Sequence, residues 1–236
     1  MLSYNITYNT LDINNKKIEY RAWNTKDEKN YLIAIEDTKE EDITDDLIYN
    51  TLIKPCLKNP DIVLTPDEQK YLMIEIRKKS LGSTFPMRYN CNKCGTLNDI
   101  EIRLDDVISF KEQSFKEIII QDQDNDITLK VLFNEPKTNN LIKKIQEAKT
   151  NTEKNYIDFL IHIQEININN ETHKDFSFEE LDNFISTLPT YVFDELLNSF
   201  LNSKSKLSIN NYESKCLICN EENIIKIEEI PNFLWV

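Results

Sequence analysis

Cys91-Asn92-Lys93-Cys94 and Cys216-Leu217-Ile218-Cys219 stand 121 residues apart, and whether they meet decides the fold. Each pair presents two sulfurs from one tight turn, which is half of a tetrahedral four-cysteine zinc site. Tyr89 precedes the first pair and Tyr212 the second. Each pair then runs into alternating apolar positions: Ile100, Ile102 and Leu104 after the first, Ile225, Ile227 and Ile230 after the second. That is the pattern of a half-buried strand leaving a metal knuckle. Two such hairpins sharing one metal form a split zinc ribbon, with the rest of the chain inserted between its halves.

The competing readings are a redox dithiol and two separate reduced pairs without metal. A thioredoxin-like dithiol sits at the start of a helix in a βαβ unit, whereas Gly95 and a strand-like segment follow the first pair here. Two separate zinc sites lack ligands, because only His162, His173 and Cys56 remain to complete them. Both histidines read as ordinary residues, one in a helix and one in a loop, and Cys56 beside Leu57 reads as a small core residue. The long insertion is no obstacle in energy. Closing such a loop costs about 4 kcal/mol, against roughly 10–16 kcal/mol for a structural zinc. Thiolates also suit iron, so the spacing leaves the metal open between the two.

With 236 residues the chain is one large or two small domains. It has no long apolar run that would span a membrane, and Met1-Leu2-Ser3-Tyr4-Asn5 lacks the basic-then-apolar pattern of a secretory leader, so a soluble, unprocessed protein is expected. Four of five cysteines in CxxC pairs fit a reducing compartment. The net charge of −13 repels polyphosphate, and no basic face offsets it, which argues against nucleic acid as a partner. Arg88, Lys93, Arg103 and Lys215 lie near the cysteines in sequence and are expected to offset thiolate charge. Only two glycines occur, while Asn, Ile and Lys abound, a bias of the kind an AT-rich genome produces.

Residues 1–23 alternate as extended chain through Ile18, Tyr20 and Ala22. Thr25 with Glu28 predicts a capping box, followed by an acidic segment over 36–46 that reads first as a solvated loop or helix start and, as the sharper alternative, as an electrostatic docking patch. Asp45 to Ile53 reads as a short helix stopped by Pro55. Thr65-Pro66-Asp67-Glu68 opens a helix running to Leu81, with Gly82 as its stop. Beyond the first knuckle, Ile118 to Ile120 and Ile127 to Phe133 predict a hairpin across the polar turn 121–126. Helices near Asn140–Ala148 and Glu153–Ile163 follow, then a turn or hairpin over 167–173. Ser177-Phe178-Glu179-Glu180 caps another helix, with Phe176 and Leu181 as its hydrophobic staple. The stripe Val192, Phe193, Leu196, Leu197, Phe200 and Leu201 marks the last helix. The chain ends in Pro231-Asn232-Phe233-Leu234-Trp235-Val236, an apolar tail expected to be buried in its own core or on another chain.

The expected architecture is α+β: helical segments and short β-hairpins tied by the split four-cysteine, zinc-ribbon-like site. The division reads as residues 1–84, an N-terminal strand and helical region; 85–110 with 205–236, the zinc-ribbon region; and 111–204, an inserted hairpin and helical region. No phosphate-binding glycine loop, HExxH or G-x-S-x-G is present, and four thiolates close a zinc site to substrate, so no enzymatic chemistry is expected.

In order along the chain, four stretches resemble the baseplate hub assembly protein family of T4-like contractile-tailed bacteriophages. They are Tyr20-Arg21-Ala22 leading into Lys26-Asp27-Glu28-Lys29; Thr65-Pro66-Asp67-Glu68-Gln69-Lys70-Tyr71-Leu72 leading into Ile76-Arg77-Lys78-Lys79-Ser80-Leu81-Gly82; Cys91-x-x-Cys94 with its Ile-x-Ile-x-Leu strand; and Cys216-x-x-Cys219 before an aromatic terminus. Phe233-Leu234-Trp235 stands where the family is expected to carry a pair of phenylalanines. The resemblance implies a non-enzymatic part of a tail baseplate at or near the hub, acting with other baseplate proteins. Those contacts would run through the acidic 36–46 segment and the Phe233–Val236 tail. The expected location is the virion tail baseplate, and the host cytoplasm during assembly, while the resemblance itself leaves open whether the chain stays in the particle. The alternatives are a transient assembly chaperone absent from the virion and a zinc-ribbon regulator.

Overall fold

The computed structural model of the chain describes residues 6–36, 44–122, 127–134 and 148–227. Most of the acidic 36–46 segment, the tip of the polar turn at 123–126, all but Ala148 of the expected Asn140–Ala148 helix, Ile230 and the Phe233–Val236 tail lie outside the described residues. The chain divides into two compact units, Met1–Glu112 with Ser205–Val236, and Gln113–Lys204. Helices and strands are mixed, and every strand pairing among the described residues is antiparallel, as an α+β architecture requires.

The first unit opens with a hairpin, β1 (Asn9–Ile13) against β2 (Lys16–Tyr20). Its two-residue turn, Asn14 (φ 48°) and Asn15 (φ 64°), is left-handed at both positions. Such a turn matches the twist of the paired strands and favours Gly or Asn. Ile13, Ile18 and Tyr20 point from the hairpin into the core. Helix α1 (Thr25–Glu36) is capped one residue earlier than the sequence predicts. Asn24 Oδ1 accepts the Lys26 and Asp27 N–H groups, and Asp27 Oδ2 accepts from Asn24 N at 2.8 Å. The displacement has a cause in Arg21, which holds the buried Asp27 carboxylate at 2.6 Å. Burial opposes ionisation of Asp27, but the hydrogen bonds from Arg21 and Asn24 outweigh it and hold its carboxyl below the ordinary range.

The single helix expected over 45–53 is three short pieces: α2 (Asp45–Ile48), a wider π turn over Tyr49–Ile53 and a 3-10 turn over Lys54–Cys56 that contains Pro55. The long helix α3 (Pro66–Leu81) begins where the sequence places it. Thr65 and Glu68 exchange both bonds of the capping box, at 3.3 and 2.7 Å. Glu68 is fully buried, and its carboxylate also accepts from Asn14 Nδ2 at 2.7 Å and Lys16 Nζ at 2.9 Å. One carboxylate thus caps the helix and anchors the β1–β2 turn upon it. At the other end buried Arg77 donates to the carbonyls of Gly82 and Thr84, closing the helix where Gly82 turns with φ 100°.

After α3 come β3 (Thr84–Asn90) and β4 (Leu97–Arg103), paired from Thr84↔Arg103 to Asn90↔Leu97. A single turn, α4 (Leu104–Val107), leads to β5 (Ile108–Lys111). The chain leaves for the second unit and returns as β10 (Lys206–Ile209), which pairs directly with β5. Tyr71 of α3 stacks on Phe110 of β5 at 4.5 Å, and the Asp67 carboxylate accepts from Leu207 N at 3.2 Å. Strands β11 (Tyr212–Lys215) and β12 (Glu222–Ile225) then form the last hairpin. One core runs through this unit, from Ile13 and Trp23 through Leu72 and Ile76 to Phe85, Ile102 and Val107, with Leu207, Tyr212 and Ile227 packed on it.

The second unit holds a four-stranded meander in the order β6 (Glu117–Asp122), β7 (Ile127–Phe133), β8 (Ile163–Ile168) and β9 (Glu171–Lys174). Helix α5 (Asn151–His162) precedes β8, and α6 (Phe178–Ser186) and α7 (Thr190–Ser203) follow β9. The Ser177–Glu180 capping box forms as read from the sequence. Asn169 and Asn170, at φ 49° and 72°, make a second two-residue Asn-Asn hairpin turn. Phe133, Phe159 and Phe200 meet with ring centroids 5.1–5.6 Å apart at the centre of this core. His162 is buried beside Phe200 with Nδ1 2.6 Å from Asp158 O, and is an ordinary core residue. At the base of the unit Ser114 N donates to Ser203 O at 2.7 Å, holding its entry and exit together.

The shared role of Glu68 makes a sharp prediction. Glu68→Ala strips a buried acceptor from Asn14, Lys16 and Thr65 at once and should destabilise the protein by about 3 kcal/mol in urea unfolding. Lys58→Ala, which removes an exposed pair with Glu19, should cost under about 1 kcal/mol. Equal losses in the two variants would contradict the anchoring role.

Candidate metal centre

Cys91 and Cys94 lie in the turn between β3 and β4, and Cys216 and Cys219 in the turn between β11 and β12. The two turns are built alike. Cys91 N donates to Thr96 O and Gly95 N to Cys91 O, both at 2.9 Å; Cys216 N donates to Glu221 O at 2.9 Å and Asn220 N to Cys216 O at 3.0 Å. Each turn needs a left-handed residue after its second cysteine, supplied by Gly95 (φ 70°) and by Asn220 (φ 59°). Moving 125 positions along the chain carries the first knuckle onto the second, Cys91 onto Cys216 and Asn98 onto Asn223.

The hairpins face one another about a local two-fold relation. Tyr89 Oη meets Ser214 Oγ at 3.4 Å, and these are equivalent positions on β3 and β11. Tyr212, which the sequence pairs with Tyr89, has a different place, opposite Ile225 in its own hairpin. Asn98 Oδ1 accepts from Leu217 N at 3.0 Å, and Asn223 Oδ1 accepts from Asn92 N at 2.9 Å. These two asparagines escaped the sequence reading. Their signal is there as a repeated Cys-x-x-Cys-x-x-x-Asn, in Cys91 to Asn98 and again in Cys216 to Asn223.

The four sulfurs all lie within 4.8 Å of one another, with Cys91 3.6 Å from Cys219 and Cys94 3.6 Å from Cys216. A disulfide would put two sulfurs about 2 Å apart, and all four thiols are free. Zinc–sulfur bonds of about 2.3 Å in a tetrahedron place sulfurs about 3.8 Å apart, so this donor set fits such an ion. Backbone N–H groups of Cys94 and Lys93 point at the Cys91 sulfur and, with help from Cys219, bring its thiol down to about 6. Those of Cys219 and Ile218 lower Cys216 in the same way. At Cys219 the Glu221 N–H favours the thiolate, but burial and the neighbouring sulfurs overcome it and push the thiol up to about 12. Four thiolates at these distances repel one another strongly, and a bound divalent cation removes that conflict.

The cations near the cysteines serve carboxylates more than sulfurs. Arg88 pairs with Asp99 at 2.6 Å, Lys215 with Glu222 at 3.2 Å and Lys93 with Glu221 at 2.8 Å. Of these Lys93 bridges the two knuckles, and it also feels the charge of Cys219 and Cys91. Cys56 stands apart, fully buried, its Sγ donating to Leu52 O at 3.2 Å. Burial pushes its thiol up to about 12, which suits a core residue and not a nucleophile.

A family model described as T4 bacteriophage base plate protein matches residues 3–235. The chain belongs to this family. No curated protein and no solved structure matches it. For this baseplate family member, the match covers both cysteine pairs and the whole second unit between them. No helix among the described residues is long and apolar enough to cross a membrane.

Accessibility differs among the five thiols in a way that labelling can read. Cys94 is exposed, Cys91 and Cys216 are buried, and Cys56 is both buried and raised in pKa. In reduced, metal-stripped, native protein, maleimide should modify Cys94 first and Cys56 last, as followed by peptide mapping over time. Early modification of Cys56 would place it outside the core.

Proposed function

We propose that this chain is a non-enzymatic structural subunit of a phage tail baseplate, at or near the hub, and that Cys91, Cys94, Cys216 and Cys219 hold one structural zinc per chain. The observation that carries the reading is the family match over residues 3–235. The four-sulfur cluster supports its second half, since four protein thiolates leave a tetrahedral ion no open position for substrate. Zinc bound there would supply a fixed charge and four bonds between two distant parts of the chain. The net charge of −13 suits docking against basic faces of other baseplate proteins. The acidic 36–46 segment and the Phe233–Val236 tail are the contacts we assign to that docking, in the virion baseplate and beforehand in the host cytoplasm.

Two measurements test the reading separately. Elemental analysis of protein purified without chelator should find one zinc per chain. Cys→Ser at any of the four positions should then lower Tm sharply, whereas Cys56→Ser should retain the metal. Well under one zinc in stable native protein would remove the metal from the proposal. Mass spectrometry of purified virions should detect the chain. Its absence there, with tails failing to form when it is deleted, would make it a transient assembly chaperone.

A further inference from the structure

We propose that Asn98 and Asn223 are positioning residues for the metal centre, each clasping the opposite knuckle so that the four sulfurs face one another before any ion arrives. The proposal rests on the metal reading above and adds to it the device that presets the site.

Each knuckle directs the N–H groups of its third and fourth residues at its first sulfur: Lys93 and Cys94 at Cys91, Ile218 and Cys219 at Cys216. The N–H of the second residue, Asn92 or Leu217, has no such use within its own turn. Asn92 and Leu217 are themselves exposed, so an N–H that the protein did not take would be left to solvent. Here each is taken by the carboxamide oxygen of the other hairpin, Leu217 N by Asn98 at 3.0 Å and Asn92 N by Asn223 at 2.9 Å. The amide nitrogens complete the arrangement at home. Asn98 Nδ2 donates to Thr96 O and Asn223 Nδ2 to Glu221 O, both at 2.8 Å, bracing the last residue of each knuckle. Asn223 Nδ2 also lies 3.7 Å from Cys91 Sγ. Asn98 and Asn223 are each 2% exposed, so both clasps are made from inside the fold. Only a carboxamide accepts from one knuckle and donates to the other with a single short side chain. Asp keeps the acceptor alone, and Leu keeps the shape alone.

The test titrates cobalt(II) into reduced wild type, Asn98→Ala, Asn98→Asp and Asn98→Leu against a competing chelator, reading the thiolate-to-cobalt absorption. Loss of a group that orients metal ligands typically weakens binding about ten- to hundred-fold, and that is expected for Asn98→Ala with one ion still bound at saturation. Asn98→Asp should recover most of the affinity and Asn98→Leu little. Equal recovery by Leu, or unchanged affinity in Asn98→Ala with only a lower unfolding midpoint, would reduce the residue to core packing and overturn the proposal. A second arm uses metal-free protein oxidised with diamide. Wild type should form the cross-knuckle disulfides Cys91–Cys219 and Cys94–Cys216. The Asn98→Ala/Asn223→Ala variant should shift at least about ten-fold toward Cys91–Cys94 and Cys216–Cys219 in peptide mapping, by the same loss of orientation. An unchanged disulfide pattern would overturn the clasp. Should wild type take up no cobalt, the metal reading falls, and this second arm alone decides whether the asparagines hold the knuckles together.

Discussion

The pairing of Ile108–Lys111 with Lys206–Ile209 is the constraint on which the first unit depends. Four residue pairs bring together two stretches separated by the whole of the second unit. From one end of this ladder the chain runs back through β4 to the Cys91 knuckle, and from the other it runs forward into β11 and the Cys216 knuckle. The two halves of the cysteine cluster therefore grow from neighbouring points. Closing a loop of this length costs about 4 kcal/mol in an unstructured chain. Strand pairing, Tyr71 stacked on Phe110 and the bond from Leu207 N to Asp67 all work against that cost within the first unit. In the second unit the Ser114–Ser203 bond does the same at its base. An ion at the four sulfurs would add stability to an arrangement that the protein already favours.

Asparagine carries much of the local geometry in a chain with two glycines. Among the described residues, five of the six non-glycine residues with positive φ are asparagines, at both two-residue hairpin turns and at the second knuckle. A left-handed conformation costs most residues roughly 1–2 kcal/mol, and asparagine tolerates it better than others because its short side chain bonds locally. Asn14 goes further, since its side chain reaches the buried carboxylate of Glu68. The abundance of asparagine, which as composition looks like genomic bias, thus has structural uses at particular positions.

The features that suit a baseplate subunit are found within each unit by itself. Two cores, one aliphatic with scattered aromatics and one centred on three phenylalanines, each build a compact unit. Every buried side-chain polar atom among the described residues has a partner. A protein in a tail machine is held by many neighbours, and internal satisfaction of this kind leaves its surface groups to them.

What the sequence determined by itself was local. The Thr65–Glu68 and Ser177–Glu180 capping boxes, the start of α3 at Pro66, the 118–133 hairpin and the paired CxxC turns involve groups a few residues apart, so side-chain chemistry at fixed spacing decides them. Even there one detail differed: the cap of α1 is Asn24 and not Thr25, in a local arrangement where Asp27 bonds both Asn24 N and Arg21. The meeting of the four sulfurs was legible as an expectation because sulfur pairs demand partners. Its geometry was not. The match of Asn98 with Asn223, and of Tyr89 with Ser214 in place of Tyr212, follows from how two hairpins face each other. The bond from Asn14 to Glu68 spans 54 positions. Such bonds depend on the path of the whole backbone between their ends, which for the two knuckles includes the pairing of β5 with β10, and only the folded chain brings those partners within hydrogen-bonding distance.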